Sequence, residues 1–135
     1  MKIYTKLFAI VAILIITACS KENNEIIDVL ANPEVLVGKW KLSETLSDPG
    51  DGSAKWKKAS GSSYIEFRAN GELGNSYGDY KTYAVKDSSI LKFTEADGVK
   101  YQNYSYELKD GKLSMSPAGP IWCIEACGAR YVKVE

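Results

Sequence analysis

The side chains that could carry out chemistry are few in this sequence, and they are scattered. The chain contains no histidine, so it lacks the commonest general base and the commonest transition-metal ligand. Glu44 and the dispersed aspartates form no recognisable acid/base pair, and the segment from Asp48 to Asp51 is too sparse in oxygen ligands to indicate a calcium site. We therefore expect no catalytic residue, no metal and no cofactor, and we predict that the protein is not an enzyme.

The first cysteine, Cys19, ends a segment with the features of a secretion signal. A positive start is followed by an unbroken apolar run over residues 7–16, which is too short to span a bilayer as a helix. The sequence Ile16-Thr17-Ala18-Cys19 resembles the lipobox of bacterial lipoproteins. That resemblance implies cleavage after residue 18, a diacylglycerol thioether on Cys19 and acylation of the new N-terminus, with palmitate as a typical chain. Several acyl chains make a durable membrane anchor.

The same resemblance predicts where the protein works. It implies an outer-membrane lipoprotein of the bacterial cell envelope, held to the membrane through the lipid on Cys19. Residues 19–34 would then be the lipidated cysteine and its tether. The charged run that begins at Lys21 is interpreted either as a signal for exposure on the cell surface or as a plain solvated spacer.

With Cys19 lipidated, Cys123 and Cys127 remain as an even pair in a compartment where disulfides persist. We interpret them as bonded to each other. Four residues of straight strand would separate their Cα atoms by about 13 Å, whereas a disulfide needs roughly 4.4 to 6.8 Å. The segment 123–127 is therefore predicted to turn or coil. A redox motif or a metal site at this C-x-x-x-C spacing is the alternative.

Charge and length limit the number of domains and the remaining classes of function. Removal of residues 1–18 leaves 117 of 135 residues, with 15 basic against 17 acidic side chains, which suits one domain over residues 35–135. The resulting charge of −2 gives no support to nucleic-acid binding or to electrostatic attachment to lipid. We expect a monomer.

The domain is predicted to be all-β, because short stretches of alternating apolar and polar residues follow one another between turn sequences. Asn70-Gly71, Asp97-Gly98 and Asp110-Gly111 predict hairpins. About eight antiparallel strands in up-and-down order can close into a barrel that is filled by side chains or holds one small ligand. A β-sandwich is the alternative fold.

Three places depart from simple alternation. Glu44 interrupts the apolar face of Trp40, Leu42 and Leu46, which predicts either a strand end at solvent or a polar group inside a cavity. The connection from Ser47 to Ser63 carries Trp56 between lysines, which predicts either a lid over a pocket or a short edge strand whose tryptophan packs into the core. Apolar residues also change phase near Gln102-Asn103, so we expect a bulge or bend there.

The motif Gly38-Lys39-Trp40 resembles the Gly-x-Trp that opens the first barrel strand of lipocalins. The family also places an arginine late in the chain, where it packs over that tryptophan and closes the barrel base. Arg130 occupies the matching place here, so the resemblance implies barrel closure by Gly38, Trp40 and Arg130 through a cation–π contact.

The leading functional hypothesis is that this lipocalin-like barrel binds a small apolar or amphipathic ligand at its open end. The alternative is a solid barrel that acts as an interaction module and binds an envelope protein or a glycan through its loops. Each candidate ligand contact could instead be an ordinary residue of the hydrophobic core. These candidates are Trp56, Tyr83, Phe93, Tyr104, Tyr106 and Met115.

Overall fold

The computed structural model describes residues 32–74 and 78–134. The predicted leader, the predicted lipidation site Cys19 and most of the predicted tether therefore lie outside the described residues. A short 3-10 helix, Pro33–Val35, precedes nine strands. These are β1 (Gly38–Ser47), β2 (Lys55–Lys58), β3 (Tyr64–Phe67), β4 (Leu73–Gly74), β5 (Tyr80–Val85), β6 (Ile90–Glu95), β7 (Tyr101–Lys109), β8 (Lys112–Pro117) and β9 (Cys127–Lys133).

The strands form one antiparallel sheet that curls into a nearly closed barrel. Its order is β4-β3-β1-β9-β8-β7-β6-β5, with β2 paired to β1 beside β3. The bridge between Glu72 and Thr82 joins the two ends of this order, and the Tyr83 amide donates to the carbonyl of Gly71 at 2.8 Å. The predicted all-β, antiparallel barrel is confirmed. Within the described residues, no helix is long and apolar enough to cross a membrane.

Strand β8 shows why the alternating pattern produces a barrel wall. Leu113 and Met115 are buried in the core, while Ser114 between them is only partly covered, as expected for a pleated strand with one face toward the interior. The turn before β8 has Asp110 and Gly111 at φ 52° and 70°, which is the conformation that a tight two-residue hairpin requires. The hairpin predicted at Asp110-Gly111 is confirmed.

A β-bulge at Ser43 explains the position of Glu44. Leu42 pairs with the buried Tyr131, but the next pair along the strand is Glu44 with Arg130. The extra residue changes which side chains face inward, so Glu44 and Leu46 point to the outer surface. Glu44 is therefore neither a strand end nor a polar group inside a cavity, and the prediction that Leu46 shares the inner face with Trp40 is wrong.

Strand β7 is regular where a bulge was predicted. Its pairing with β6 runs without a shift from Thr94–Tyr101 to Ile90–Ser105. Gln102 takes an inward position and is 2 % exposed, followed in the same phase by Tyr104, Tyr106 and Leu108. The prediction of a bulge near Gln102-Asn103 is therefore wrong, because a buried polar residue holds the place expected for an apolar one.

The barrel base is closed around Trp40, but not by Arg130. Trp40 is 2 % exposed, and its indole N–H donates to the carbonyl of Leu36 at 2.7 Å. Lys133 lies 5.5 Å from the Trp40 ring centroid and donates to the carbonyl of Val35 at 3.1 Å. Strand β9 points Tyr131 inward and Arg130 outward, so the predicted stacking of Arg130 on Trp40 is wrong.

The disulfide between Cys123 and Cys127 is confirmed. The two Cα atoms are 6.1 Å apart, and residues 121–126 form bends and coil before β9 begins. This closed loop lies beside the end of β1, since Cys127 pairs with Ser47.

Candidate functional site

Most of the predicted ligand contacts meet inside the barrel, where they pack against one another. Phe93 is fully buried and Met115 is 2 % exposed. The ring centroids of Phe93 and Tyr104 are 4.9 Å apart, and Phe67 and Tyr83 meet edge to face at 4.9 Å. Such contacts are those of a close-packed core. Ligand contact by Tyr83, Phe93, Tyr104, Tyr106 and Met115 stays a prediction.

Trp56 lies apart from this group, on the outer face of the barrel. It belongs to β2, whose pairing with the end of β1 places Trp56 opposite Leu46. Of the two alternatives predicted for this connection, the short edge strand forms, but the prediction that its tryptophan packs into the core is wrong, because Trp56 lies on the outer face against Arg130. The guanidinium of Arg130 lies 3.7 Å from the Trp56 ring centroid and 3.4 Å from the carboxylate of Glu44.

A depression of about 370 Å³ opens at the end of the barrel away from Trp40. Its wall includes the exposed apolar side chains of Val99 and Ile121, which are 76 % and 69 % exposed. Concave sites with mostly apolar walls and a few polar groups are typical of small-molecule binding. We call this depression the mouth, and its lining residues are Tyr80, Glu95, Val99, Lys100, Tyr101, Pro120 and Ile121.

The β6–β7 hairpin positions one wall of the mouth. The Asp97 carboxylate accepts hydrogen bonds from the amides of Val99 at 2.8 Å and Lys100 at 3.0 Å. These two bonds lower the pKa of Asp97, since they favour its charged form. A carboxylate that is ionised at neutral pH thus holds the turn that presents Val99.

Gln102 positions the opposite wall. Its side-chain amide donates to the carbonyl of Ile121 at 2.8 Å and accepts from the amide of Ile121 at 3.0 Å. The backbone on both sides of this contact is also held, because the Asn103 amide donates to the carbonyl of Gly119 at 2.6 Å. The loop after β8 is thereby fixed across the barrel end, with the Ile121 side chain turned toward solvent.

The mouth combines apolar surface with a small polar group. Lys100 and Glu95 form an ion pair of 3.7 Å at its rim. Burial, followed by the negative charges of Glu95 and Asp79, raises the pKa of the Tyr80 phenol, so the phenol is neutral at physiological pH. The geometry suits a ligand with an apolar body and a polar end.

The mouth residues were not among the predicted ligand contacts, although a pattern in the sequence pointed to them. Val99 and Tyr101 stand out of phase with the inward residues of β7, which was interpreted as a bulge. In a regular strand the same pattern means apolar side chains on the outside, and an exposed apolar patch indicates an interaction site. Across residues 32–74 and 78–134, no group of three or more acidic or cysteine side chains is placed to hold a metal ion.

Comparison with known proteins identifies one family. A family model described as a lipocalin-like domain matches residues 36–115. The match begins just before Gly38 and Trp40 and ends within β8. No curated protein matches the chain significantly, and no solved structure does.

Proposed function

The chain belongs to the lipocalin-like family, since the match covers more than half of it, and we propose that it is a non-catalytic binding protein of the bacterial cell envelope. Its ligand is a small apolar or amphipathic molecule, which binds at the mouth. The protein is anchored to the outer membrane through the lipid on Cys19.

The exposed apolar wall of the mouth carries this proposal. Val99, Tyr101 and Ile121 expose large apolar surface around one depression, and covering such surface contributes about 25 cal/mol per Å². The interior aromatics already fill the barrel below, so a ligand would rest on Tyr80 and Ile121 and leave its polar end beside Lys100 and Glu95.

The test uses two probes of the expected kind, the neutral fluorophore N-phenyl-1-naphthylamine and dodecanoate. The parent protein should bind the fluorophore and release it on addition of dodecanoate. The double variant V99S/I121S should bind about tenfold more weakly, which corresponds to about 1.4 kcal/mol.

A matched control comes from the other end of the barrel. Val134 is 47 % exposed and lies close to Lys39 at the base, where its amide donates to the Lys39 carbonyl at 2.8 Å. V134S should keep the parent affinity. Equal weakening by V134S and V99S/I121S, or a parent that binds neither probe, would contradict the proposal.

A second candidate function is the docking of another envelope protein, and the disulfide loop favours it. Trp122 is 67 % exposed and Ile124 is completely exposed, although apolar side chains of this size are usually covered. A photocrosslinker at position 124 should capture a single partner in intact cells, and W122S should abolish the product without changing probe affinity at the mouth. If W122S also lost probe binding, the disulfide loop would be part of the ligand site at the mouth and not a separate docking surface.

A further inference from the structure

The outer face of the barrel carries a second depression, which is formed by side chains that point away from the core. Ser105 pairs with Ser116 across β7 and β8, and Glu107 pairs with Ser114. Residues that are directly opposite in antiparallel strands lie on the same side of a sheet. These four polar side chains therefore form a patch, and with Trp56 they line a groove of about 300 Å³. We call it the outer groove.

Gly128 allows the indole of Trp56 to form one wall of this groove. A Cβ atom at Gly128 would lie 3.3 Å from Cη2 of Trp56 and 2.8 Å from Oγ of Ser116. The second distance is closer than real Cβ atoms approach, so a side chain at this position would displace the serine or the ring. The missing side chain thus lets the tryptophan lie across the sheet toward Ser116.

Arg130 and Glu44 hold the ring and balance each other's charge. Arg130 lies over the Trp56 ring at 3.7 Å, a favourable cation–π contact, and its charge is paired with Glu44 at 3.4 Å. Because a cation already occupies this face of the ring, a second cation would be repelled there. The outer groove itself is lined by the carboxylate of Glu107, which disfavours an anion.

The groove continues beyond the tryptophan. A neighbouring depression of about 250 Å³ shares Glu107 and Ser114 with it and is also lined by Lys109, Asp110, Lys112 and Arg130, so that its charged side chains carry both signs. From Ser116 to Lys112, strand β8 covers about 13 Å at 3.3 Å per residue. The combined length suits a chain of several rings better than a single compact molecule.

These contacts define the chemistry of a ligand. Serine hydroxyls and a carboxylate can exchange hydrogen bonds with several hydroxyl groups, while an aromatic wall covers apolar C–H surface. The Ser105 hydroxyl donates its hydrogen to the Ser116 carbonyl at 3.2 Å. Its oxygen is therefore left to accept hydrogen bonds from the hydroxyl groups of a ligand. A neutral molecule with many hydroxyls and an apolar ring face meets all of these conditions.

We propose that the outer groove is a binding site for a neutral oligosaccharide, separate from the mouth. Trp56 stacks on one sugar ring through the face that Arg130 does not cover, and Glu107 and the three serines bind the hydroxyl groups of that sugar. The next ring lies between Lys109 and Lys112.

The test follows the indole N–H signal of Trp56 by nuclear magnetic resonance, with the signal assigned from the W56F variant. The probes are maltotetraose, cellotetraose, mannotetraose and chitotetraose. At least one of them should shift this signal and leave that of the buried Trp40 in place. W56A should weaken its binding by about tenfold or more, as expected for the loss of an aromatic anchor.

Two further variants keep the test decisive. W122A removes an exposed tryptophan outside the groove, and its saccharide affinity should stay within about twofold of the parent. E107Q preserves shape on an exposed position and should weaken binding severalfold, so the proposal can be tested even if W56A fails to fold.

The proposal is overturned if none of the four tetrasaccharides shifts the Trp56 signal, or if W122A weakens binding as much as W56A. Binding of tetragalacturonate or spermidine without any neutral tetrasaccharide would also overturn it. V99S/I121S should leave saccharide affinity unchanged, so failure at the mouth and failure at the outer groove are distinguishable.

Discussion

Gln102 illustrates how one buried polar side chain can organise a binding surface. It lies opposite Phe93 in the inward row of β7, where a polar group is tolerated only if it is hydrogen-bonded. The backbone of Ile121 supplies both a donor and an acceptor. An apolar core residue could not attach the loop in this way.

Replacement of Gln102 by leucine should therefore destabilise the protein although it makes the interior more apolar. The backbone N–H and C=O of Ile121 would lose their partner, at a cost of about 1 to 3 kcal/mol. Urea unfolding should show this loss, and amide exchange at Ile121 should accelerate. E107A, an exposed change on the same strand, should stay within about 0.5 kcal/mol of the parent. An unchanged unfolding midpoint for Q102L would show that this contact does not hold the loop.

Tyr83 gives a prediction for alkaline pH. Burial raises the pKa of its phenol, and the hydroxyl donates to the carbonyl of Arg68 at 2.9 Å. Since the pKa is higher in the folded state than the unfolded value of about 10, the contribution is complete below about pH 10 and is lost as pH rises through the folded pKa. Y83F should thus be less stable than the parent at pH 8 and should lose less stability above pH 10. Parallel stability curves for the two proteins in this range would contradict the assignment.

Among the elements, the strands with uninterrupted alternation were predictable and those with register shifts were not. Leu113 and Met115 indicated β8 correctly, and Asp110-Gly111 indicated its turn. The bulge at Ser43 has no distinctive residue, so Glu44 and Leu46 were assigned to the wrong face. The placement of Arg130 on Trp40 followed from the resemblance to lipocalins, whereas strand β9 directs Arg130 outward onto Trp56.

The two sites differ in how many of their residues could be predicted from the sequence. Trp56 was selected because a tryptophan in a polar connection is unusual. Its groove partners Ser105, Ser114 and Ser116 were not, because outward serines on a barrel strand look like ordinary surface. Outward residues on different strands meet only when those strands are neighbours in the sheet. The strand order of the folded barrel, and not the local sequence, therefore determines this groove.

The disulfide loop supports a prediction at the scale of an element. Closing so short a loop removes little unfolded-state entropy, which corresponds to about 2 kcal/mol for roughly five residues. The double variant C123S/C127S should therefore remain folded, with a urea midpoint lowered by about that amount. Spectral changes should be confined to residues near 118–128. Complete unfolding of the variant would mean that the bond supports the whole barrel.

For the whole molecule, the barrel closes unevenly. Strands β1 and β9 are joined along seven residue pairs, whereas the Glu72–Thr82 bridge and the Tyr83–Gly71 hydrogen bond are the backbone links described across the seam between β4 and β5. Free energies of local opening are lowest where few hydrogen bonds hold neighbouring strands together. The seam is therefore the part of the wall that we expect to open first.

Membrane attachment is tested on the full chain. If Cys19 carries the lipid, the parent protein should enter the detergent phase on Triton X-114 partitioning and should incorporate labelled palmitate. C19S should remain in the aqueous phase and take up no label, because several buried acyl chains make the anchor durable. A C19S protein that still partitions into detergent would show that another segment provides the attachment.

The direction of strand β1 has a consequence for an anchored molecule. The strand begins at Gly38, beside the base that Trp40 and Lys133 close, and it ends at Ser47, beside the disulfide loop and at the end of the barrel that carries the mouth. A lipid attached upstream of Gly38 would hold the molecule by its base. The mouth would then face the aqueous compartment rather than the bilayer, so that it would collect its ligand from solution or from another macromolecule instead of extracting it from the membrane beneath.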